Sequence, residues 1–425
     1  MNILLKGIKI IAPDSPYHNQ ITNIYIEDGI ISEIGSETKS CDQIIAEEGL
    51  CVSVGWLDMR CWVGEPGLEH KEDFASAAQA AAKGGFTELV CMPDLLPVMQ
   101  TKNAIGYLQK SSETLPVSFH AAGAVTVDLQ GKDLTEMIDL NRAGALAFTD
   151  GDTTIQQADV LMKALHYVQY FNGLVIQRPQ DKYLSQLGLM HEGLVSTRLG
   201  LKGIPALAEE LIIARDLQLL EYTGGKIHFS LLSSAGSVER IRQAKAAGLS
   251  VTCDVASFQV AFTDENLVNF DTNFKVDPPF RSQQDKEAII KGLQDDTIDA
   301  LVSAHKPQDT ECKKLEFDLA EFGIINLETA FSVANTHLHQ TLSLEQIIQK
   351  FTSAPRKILN LPVPAIEIGE KANLTLFHPD KKWIPLAVTT SSKSNNSPFY
   401  GTELQGQVLG IIYKNNFVQN PEYQF

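Results

Sequence analysis

The stretch that decides the fold is Gly55-Trp56-Leu57-Asp58-Met59-Arg60-Cys61-Trp62-Val63-Gly64-Glu65-Pro66-Gly67. An apolar run ends at Asp58, and glycines and a proline follow, so a strand over 54–58 is expected to pass into a loop. Seven more candidate strands follow at 88–92, 118–124, 145–149, 174–177, 227–232, 250–256 and 299–304. Helical patterns separate most of them. Residues 74–83 are alanine-rich and stop at Gly84-Gly85, and 237–247 stops at Gly248. After Pro205, Leu207, Leu211, Ala214 and Leu217 recur at helical spacing, and Gly224-Gly225 ends that pattern. Eight β–α units point to a (β/α)₈ barrel, with a doubly wound sheet as the alternative that gives a similar alternation.

The two ends read differently. Ile3-Leu4-Leu5 and Ile8-Lys9-Ile10-Ile11 are short apolar runs, and Ile24-Tyr25-Ile26 and Ile30-Ile31 flank an Asp28-Gly29 turn, a hairpin signature. Strands return at 374–377, 408–413 and 417–418. The expected organisation is a small β-sandwich from 1–53 and 364–425 around a barrel from 54–363. Ser391–Pro398 is polar and reads as a loop.

Of the 425 residues 44% are hydrophobic, enough for a large core, and the formal net charge is −17. That charge argues against a nucleic-acid surface, which needs clustered Lys and Arg. No run approaches the roughly 20 apolar residues of a membrane span, and no secretory signal follows Met1. The six cysteines are scattered without a CxxC pair, as expected of free thiols in a cytoplasmic protein.

From about Ser53 to Gly406 the chain resembles the bacterial class I dihydroorotases of the amidohydrolase superfamily. The resemblance is carried by Glu65-Pro66-Gly67, Glu69-His70-Lys71-Glu72, Gly84-Gly85-Phe86-Thr87, Met92-Pro93, Phe148-Thr149-Asp150 and Gly236-Ser237. Lys275-Val276, Pro278-Pro279, Arg281, 326–331, 373–377 and 394–401 add to it. It implies a metal-dependent hydrolase barrel with a small β domain, acting in pyrimidine biosynthesis. It also implies zinc ligands at the carboxyl ends of the strands, where this fold places active sites.

The resemblance assigns two histidines to the first strand, where this chain has Arg60 and Trp62. The fifth-strand histidine is Arg178, the sixth-strand histidine is Leu231, and the eighth-strand catalytic aspartate is Ala304. Asp150 stands for the bridging aspartate, with Asp152 close by in an open register. The substrate-binding arginine and asparagine are Gly64 and Asp94, and Asp94 would repel a carboxylate. A guanidinium, an indole and aliphatic groups are not zinc donors. The expectation is therefore no catalytic residue, no metal ligand and no cofactor. Arg60, Trp62, Gly64, Asp94, Asp150, Arg178, Leu231, Ala304 and His305 then line a vestigial pocket, with an Arg178–Asp150 ion pair filling it.

Plainer readings attach to the other residues. His305 and His228 are expected to be structural, His70 a loop residue, and the pair His337 and His339 no metal site. Lys306 and Lys163 are candidates for a carbamylated bridge in principle only, since no histidines surround them. The resemblance extends to non-catalytic relatives that assemble with aspartate transcarbamoylase, so it implies that this chain is a pseudoenzyme partner of that enzyme's catalytic chain and that this chain forms a homodimer. The alternative is an active dihydroorotase, or another cyclic-amide hydrolase, with an unconventional site. A third reading is a sensor in which Arg60, Trp62 and Arg178 hold an anionic metabolite.

Overall fold

Eight parallel strands form the centre of the molecule: Trp56–Cys61, Phe86–Cys91, Ser118–Gly123, Ala145–Phe148, Val175–Gln177, Ile227–Phe229, Val251–Ala256 and Ala300–Val302. They pair in chain order, and Cys61 at the end of the first bridges to His305 just past the eighth, which brings the sheet round on itself. The coordinates are a computed structural model describing residues 2–35 and 41–424. The barrel interior is filled by aliphatic side chains that alternate along the strands, among them Leu57, Met59, Val90, Ala122, Ala147 and Ile176. The barrel reading holds over the doubly wound alternative.

Each crossover carries a helix on the outside, and the local sequence explains the ends. The helix Phe74–Lys83 starts at Asp73, whose carboxylate accepts from the Ser76 backbone N–H at 2.8 Å in a capping box. Its buried residues Ala77, Ala78, Ala80, Ala81 and Ala82 let it lie close on the strands. It stops at Gly84, where a Cβ would meet the Leu327 carbonyl oxygen at 2.0 Å. Gly85 has φ +91°, and any side chain there would strike the Trp56 ring.

A second eight-stranded sheet is built from both ends of the chain. Cys51–Val54 joins them: it runs parallel to Asn2–Ile10 and antiparallel to Leu374–Trp383, which in turn pairs with Leu404–Tyr413. Ile3, Leu5, Ile24, Val52, Leu374, Leu376 and Leu409 share one apolar core, so the two ends form one β unit against the barrel. The Asp28-Gly29 turn lies where expected, between Ile21–Glu27 and Ile30–Ile34, with positive φ at both residues.

Two expectations need correcting. Val54 closes a strand of the terminal sheet and does not begin the barrel, because Gly55 intervenes. Gly55 packs so closely that a Cβ would lie 2.0 Å from Asn373 Oδ1. The helix Ala206–Thr223 forms as expected, but Leu207 and Leu211 are 50% and 46% exposed. Its buried side is Ala208, Glu209, Ile212, Ile213, Asp216 and Leu220. Glu209 accepts from the Ser233 and Ser234 backbone N–H groups at 3.0 and 3.1 Å, and Asp216 from Gln177 at 3.1 Å, so the polar residues face inward.

Candidate site at the barrel mouth

The carboxyl ends of the strands converge on a mouth lined by Arg60, Trp62, Asp94, Leu231, Ala304 and His305, with Asp152 and Lys306. Six of the nine residues expected here therefore meet. Arg60 leaves the end of the first strand and is buried. Its Nη2 is 2.6 Å from Asp152 Oδ1 and 3.2 Å from the Gly151 carbonyl oxygen, and its Nη1 is 3.5 Å from Ser230 Oγ. Lys306 Nζ binds the other carboxylate oxygen of Asp152. Burial would raise the Asp152 carboxyl, but Lys306, Arg60 and Arg178 outweigh it and hold the group well below the usual carboxylate range. This ionised trio plugs the mouth and leaves a cavity of about 30 Å³. That is room for one or two waters, against roughly 300 Å³ or more for an ordinary small-molecule pocket.

Asp152, not Asp150, is the acid that faces the mouth. Asp150 turns away and accepts from the Val125 and Thr126 backbone N–H groups at 3.0 and 2.8 Å, and from the Thr126 hydroxyl. Burial pushes its carboxyl up to about 6 against those bonds. The expected Arg178–Asp150 ion pair is absent. Arg178 Nη2 instead lies 2.5 Å from Asp277 Oδ1 and 2.7 Å from Gln180 Oε1, and Nη1 reaches the Asp152 carbonyl oxygen at 3.3 Å. It lines a neighbouring pocket, outside the mouth. The reason is competition: backbone amides take Asp150, and Asp277 in the seventh crossover offers Arg178 a second carboxylate.

Gly64 also lies outside the mouth. It has φ +81°, and a Cβ there would be 2.7 Å from the Glu72 carbonyl oxygen and 2.9 Å from that of Leu68. The loop is folded tightly around a glycine, so the position has no space for an arginine side chain in this conformation. Leu231 (φ 61°) and Ala304 (φ 50°) hold left-handed backbone at the ends of the sixth and eighth strands. Such a conformation is costly for a leucine or an alanine. Around Leu231 it is held by a bond from its N–H to Asp254 Oδ1 at 2.7 Å.

Trp62 donates its indole N–H to the Asp94 carbonyl oxygen at 3.0 Å. Asp94 Oδ1 is buried without a hydrogen-bond partner among the described residues. Burial and then the neighbouring Asp152 push its carboxyl up to about 6, against Lys306 and Arg60. His305 is held at both ring nitrogens: its Nδ1 accepts from the Asn326 backbone N–H at 3.2 Å, so its Nε2 carries the proton and faces Glu72 at 3.3 Å. Glu72 is held in turn by the hydroxyls of Ser76 and Ser392. His228 is buried between Thr252 Oγ1 and Asp254 Oδ2, each at 2.9 Å. His70 is exposed, 3.4 Å from Asp309, and Lys163 pairs with Asp159 on a helix surface. The decisive roles of Lys306, Asp152 and Asp277 were not assigned from sequence. The sequence offered Asp152 only as the alternative register to Asp150 and Lys306 only as a carbamylation candidate, and gave no sign of Asp277.

A family model described as dihydro-orotase-like matches residues 50–237, and one described as the amidohydrolase family matches 187–418. A dihydroorotase of Syntrophus aciditrophicus is 37% identical over 423 residues, covering 98% of this chain and 99% of that protein. One of Pelotomaculum thermopropionicum is 38% identical over 409 residues, 96% of each. Among solved structures, the L-hydantoinase (dihydropyrimidinase) of Arthrobacter aurescens superposes with a TM-score of 0.85 at 21% identity, covering 98% of this chain and 96% of that one. The dihydropyrimidinase of Brevibacillus agri also gives 0.85, at 18% identity over 100% and 96%.

These matches overturn the expectation of no cofactor. The relatives named dihydroorotase align with nearly the whole chain, and the resemblance to that family implies zinc. Zinc is the cofactor the family assigns. The mismatch lies in the side chains that would hold it: a guanidinium, an indole, an isobutyl and a methyl group stand at four of the positions to which the resemblance assigns ligands and base, and the mouth carboxylate is engaged by two cations. The donor set does not fit the metal.

Proposed function

We propose, for a chain that belongs to the dihydroorotase-like family of amidohydrolases, a role in pyrimidine biosynthesis as a partner protein that does not open the dihydroorotate ring by the family's route. One observation carries this: the Arg60–Asp152–Lys306 cluster occupies the barrel mouth where a substrate would sit. Hydrolysis of a cyclic amide needs an activated water, a polarised carbonyl and a proton acceptor. Ala304 offers no acceptor at the eighth strand, and Asp152 is a poor base because Lys306, Arg60 and Arg178 stabilise its charge. The partner that the resemblance implies is the catalytic chain of aspartate transcarbamoylase, with this chain as a homodimer.

The second reading is an active dihydroorotase, favoured by 37% identity over nearly the full length of a relative with that name. Two measurements separate them. Dihydroorotate turnover after zinc-supplemented expression is expected at no more than background, and turnover at enzymatic rates establishes the second reading. Size-exclusion of a mixture with the cognate transcarbamoylase is expected to give one joint peak. Two separate peaks at micromolar concentrations remove the partner role.

A further inference from the structure

We propose that the pocket beside the mouth binds a small organic or inorganic dianion. It has a volume of about 310 Å³, about ten times the 30 Å³ left in the mouth. That puts it at the lower end of small-molecule sites. It opens on the carboxyl side of the barrel, between the loops that follow the third, fourth and fifth strands.

Its wall is short of negative charge. Lys132, Arg178 and Lys182 face Asp152 and Asp277. Both acids are already engaged, Asp277 by Arg178 at 2.5 Å and Asp152 by Arg60 and Lys306. Lys132 has no acceptor among the described residues, and Lys182 only overlies the Tyr183 ring, 4.9 Å from its centre. In the same wall Arg178 Nε is buried without an acceptor. A cationic pocket in a chain of net charge −17 concentrates small anions that the rest of the surface repels.

The lining also sets the ligand class. It consists of glycine, serine, threonine, glutamine and charged residues, with no apolar or aromatic side chain. A ring would gain nothing from stacking or burial there. A compact ion with two charged groups, a dicarboxylate or a phosphate, would find lysine ammoniums and glutamine amides as donors. Ring opening of dihydroorotate would itself give a dicarboxylate, so the Lys132 and Lys182 side chains, which line this pocket and not the mouth, distinguish binding here from binding of a product at the mouth.

The test is calorimetric titration of the full chain with succinate and with inorganic phosphate, against sodium chloride at matched ionic strength. Saturable binding of either probe at one site per chain supports the proposal, and the tighter one identifies carboxylate or phosphate as the ligand group. The double variant Lys132→Ala/Lys182→Ala removes two exposed side chains and is expected to keep its ligand-free melting temperature while binding about tenfold or more weakly. No saturation by either probe overturns the proposal, and so does a double variant that binds as tightly as the parent.

Discussion

Asp94 stands where the family implies a substrate-binding asparagine, and the fold makes it a burden. One carboxylate oxygen is buried without a partner, and Asp152 lies close enough to oppose its ionisation. Its folded pKa, about 6, is above the unfolded value of about 3.9. Below pH 4 the group is neutral in both states. As pH rises to 6 the unfolded chain ionises first, and stability falls until the folded group ionises too. Asp94→Asn removes this titration. The variant should match the parent near pH 4 and exceed it by about 2 kcal/mol at pH 8, a value reduced for the partial exposure of the side chain. Urea unfolding at pH 4, 6 and 8 measures the gap, and a gap independent of pH rejects the explanation. At this scale the meeting of Arg60, Trp62, Leu231 and Ala304 at the barrel mouth was legible in the sequence. Which acid each arginine would take was not, because Asp277 lies a hundred residues from Arg178 in the chain and meets it only in the folded barrel.

Elements were legible where their own periodicity or caps marked them. All eight barrel strands overlap their expected positions, the first shifted from 54–58 to Trp56–Cys61, and the helix Phe74–Lys83 has its expected limits. The helix Ala206–Thr223 exposes the leucine stripe and buries Glu209 and Asp216, because its inner face meets polar loop ends of neighbouring strands. Apolar periodicity carries no information about such partners. Trp56 opens the first strand and couples elements far apart in sequence. Its ring lies 4.9 Å from Phe331, 5.5 Å from Phe377 and 5.8 Å from Phe351, and its N–H donates to Ser53 Oγ at 2.9 Å. Trp56→Ala should cost about 3–5 kcal/mol. Thermal and urea unfolding would show it, and a loss under about 1 kcal/mol would mean that the cluster closes over the gap.

For the molecule as a whole, the last strands hold the terminal sheet to the barrel. Leu404–Tyr413 pairs along Leu374–Trp383, and the Gly406 carbonyl oxygen accepts from the Ser332 hydroxyl and, at 3.0 Å, from the Trp383 indole. Removing residues 404–425 would bare a long strand edge and one side of the helix Ala330–Leu338. The truncated chain should accumulate as insoluble protein and lose its near-ultraviolet circular dichroism. A soluble product with a cooperative melt would show that the barrel stands without its β partner. The sheet's two-ended origin could be anticipated from the strand runs at each terminus. Its bridge through Cys51–Val54 could not, since Gly55 separates that strand from the barrel only by a close tertiary contact.

The sequence by itself determined the barrel, the two-ended β unit and which side chains stand at the strand ends, because these depend on period, turn chemistry and side-chain identity. Only the tertiary structure decided that the mouth is filled by an Arg60–Asp152–Lys306 cluster, that Asp150 is turned inward to backbone amides, and that an open cationic pocket lies next door. A buried charge goes to whichever partner is nearest and already shielded from water, and that nearness is a property of the packed chain.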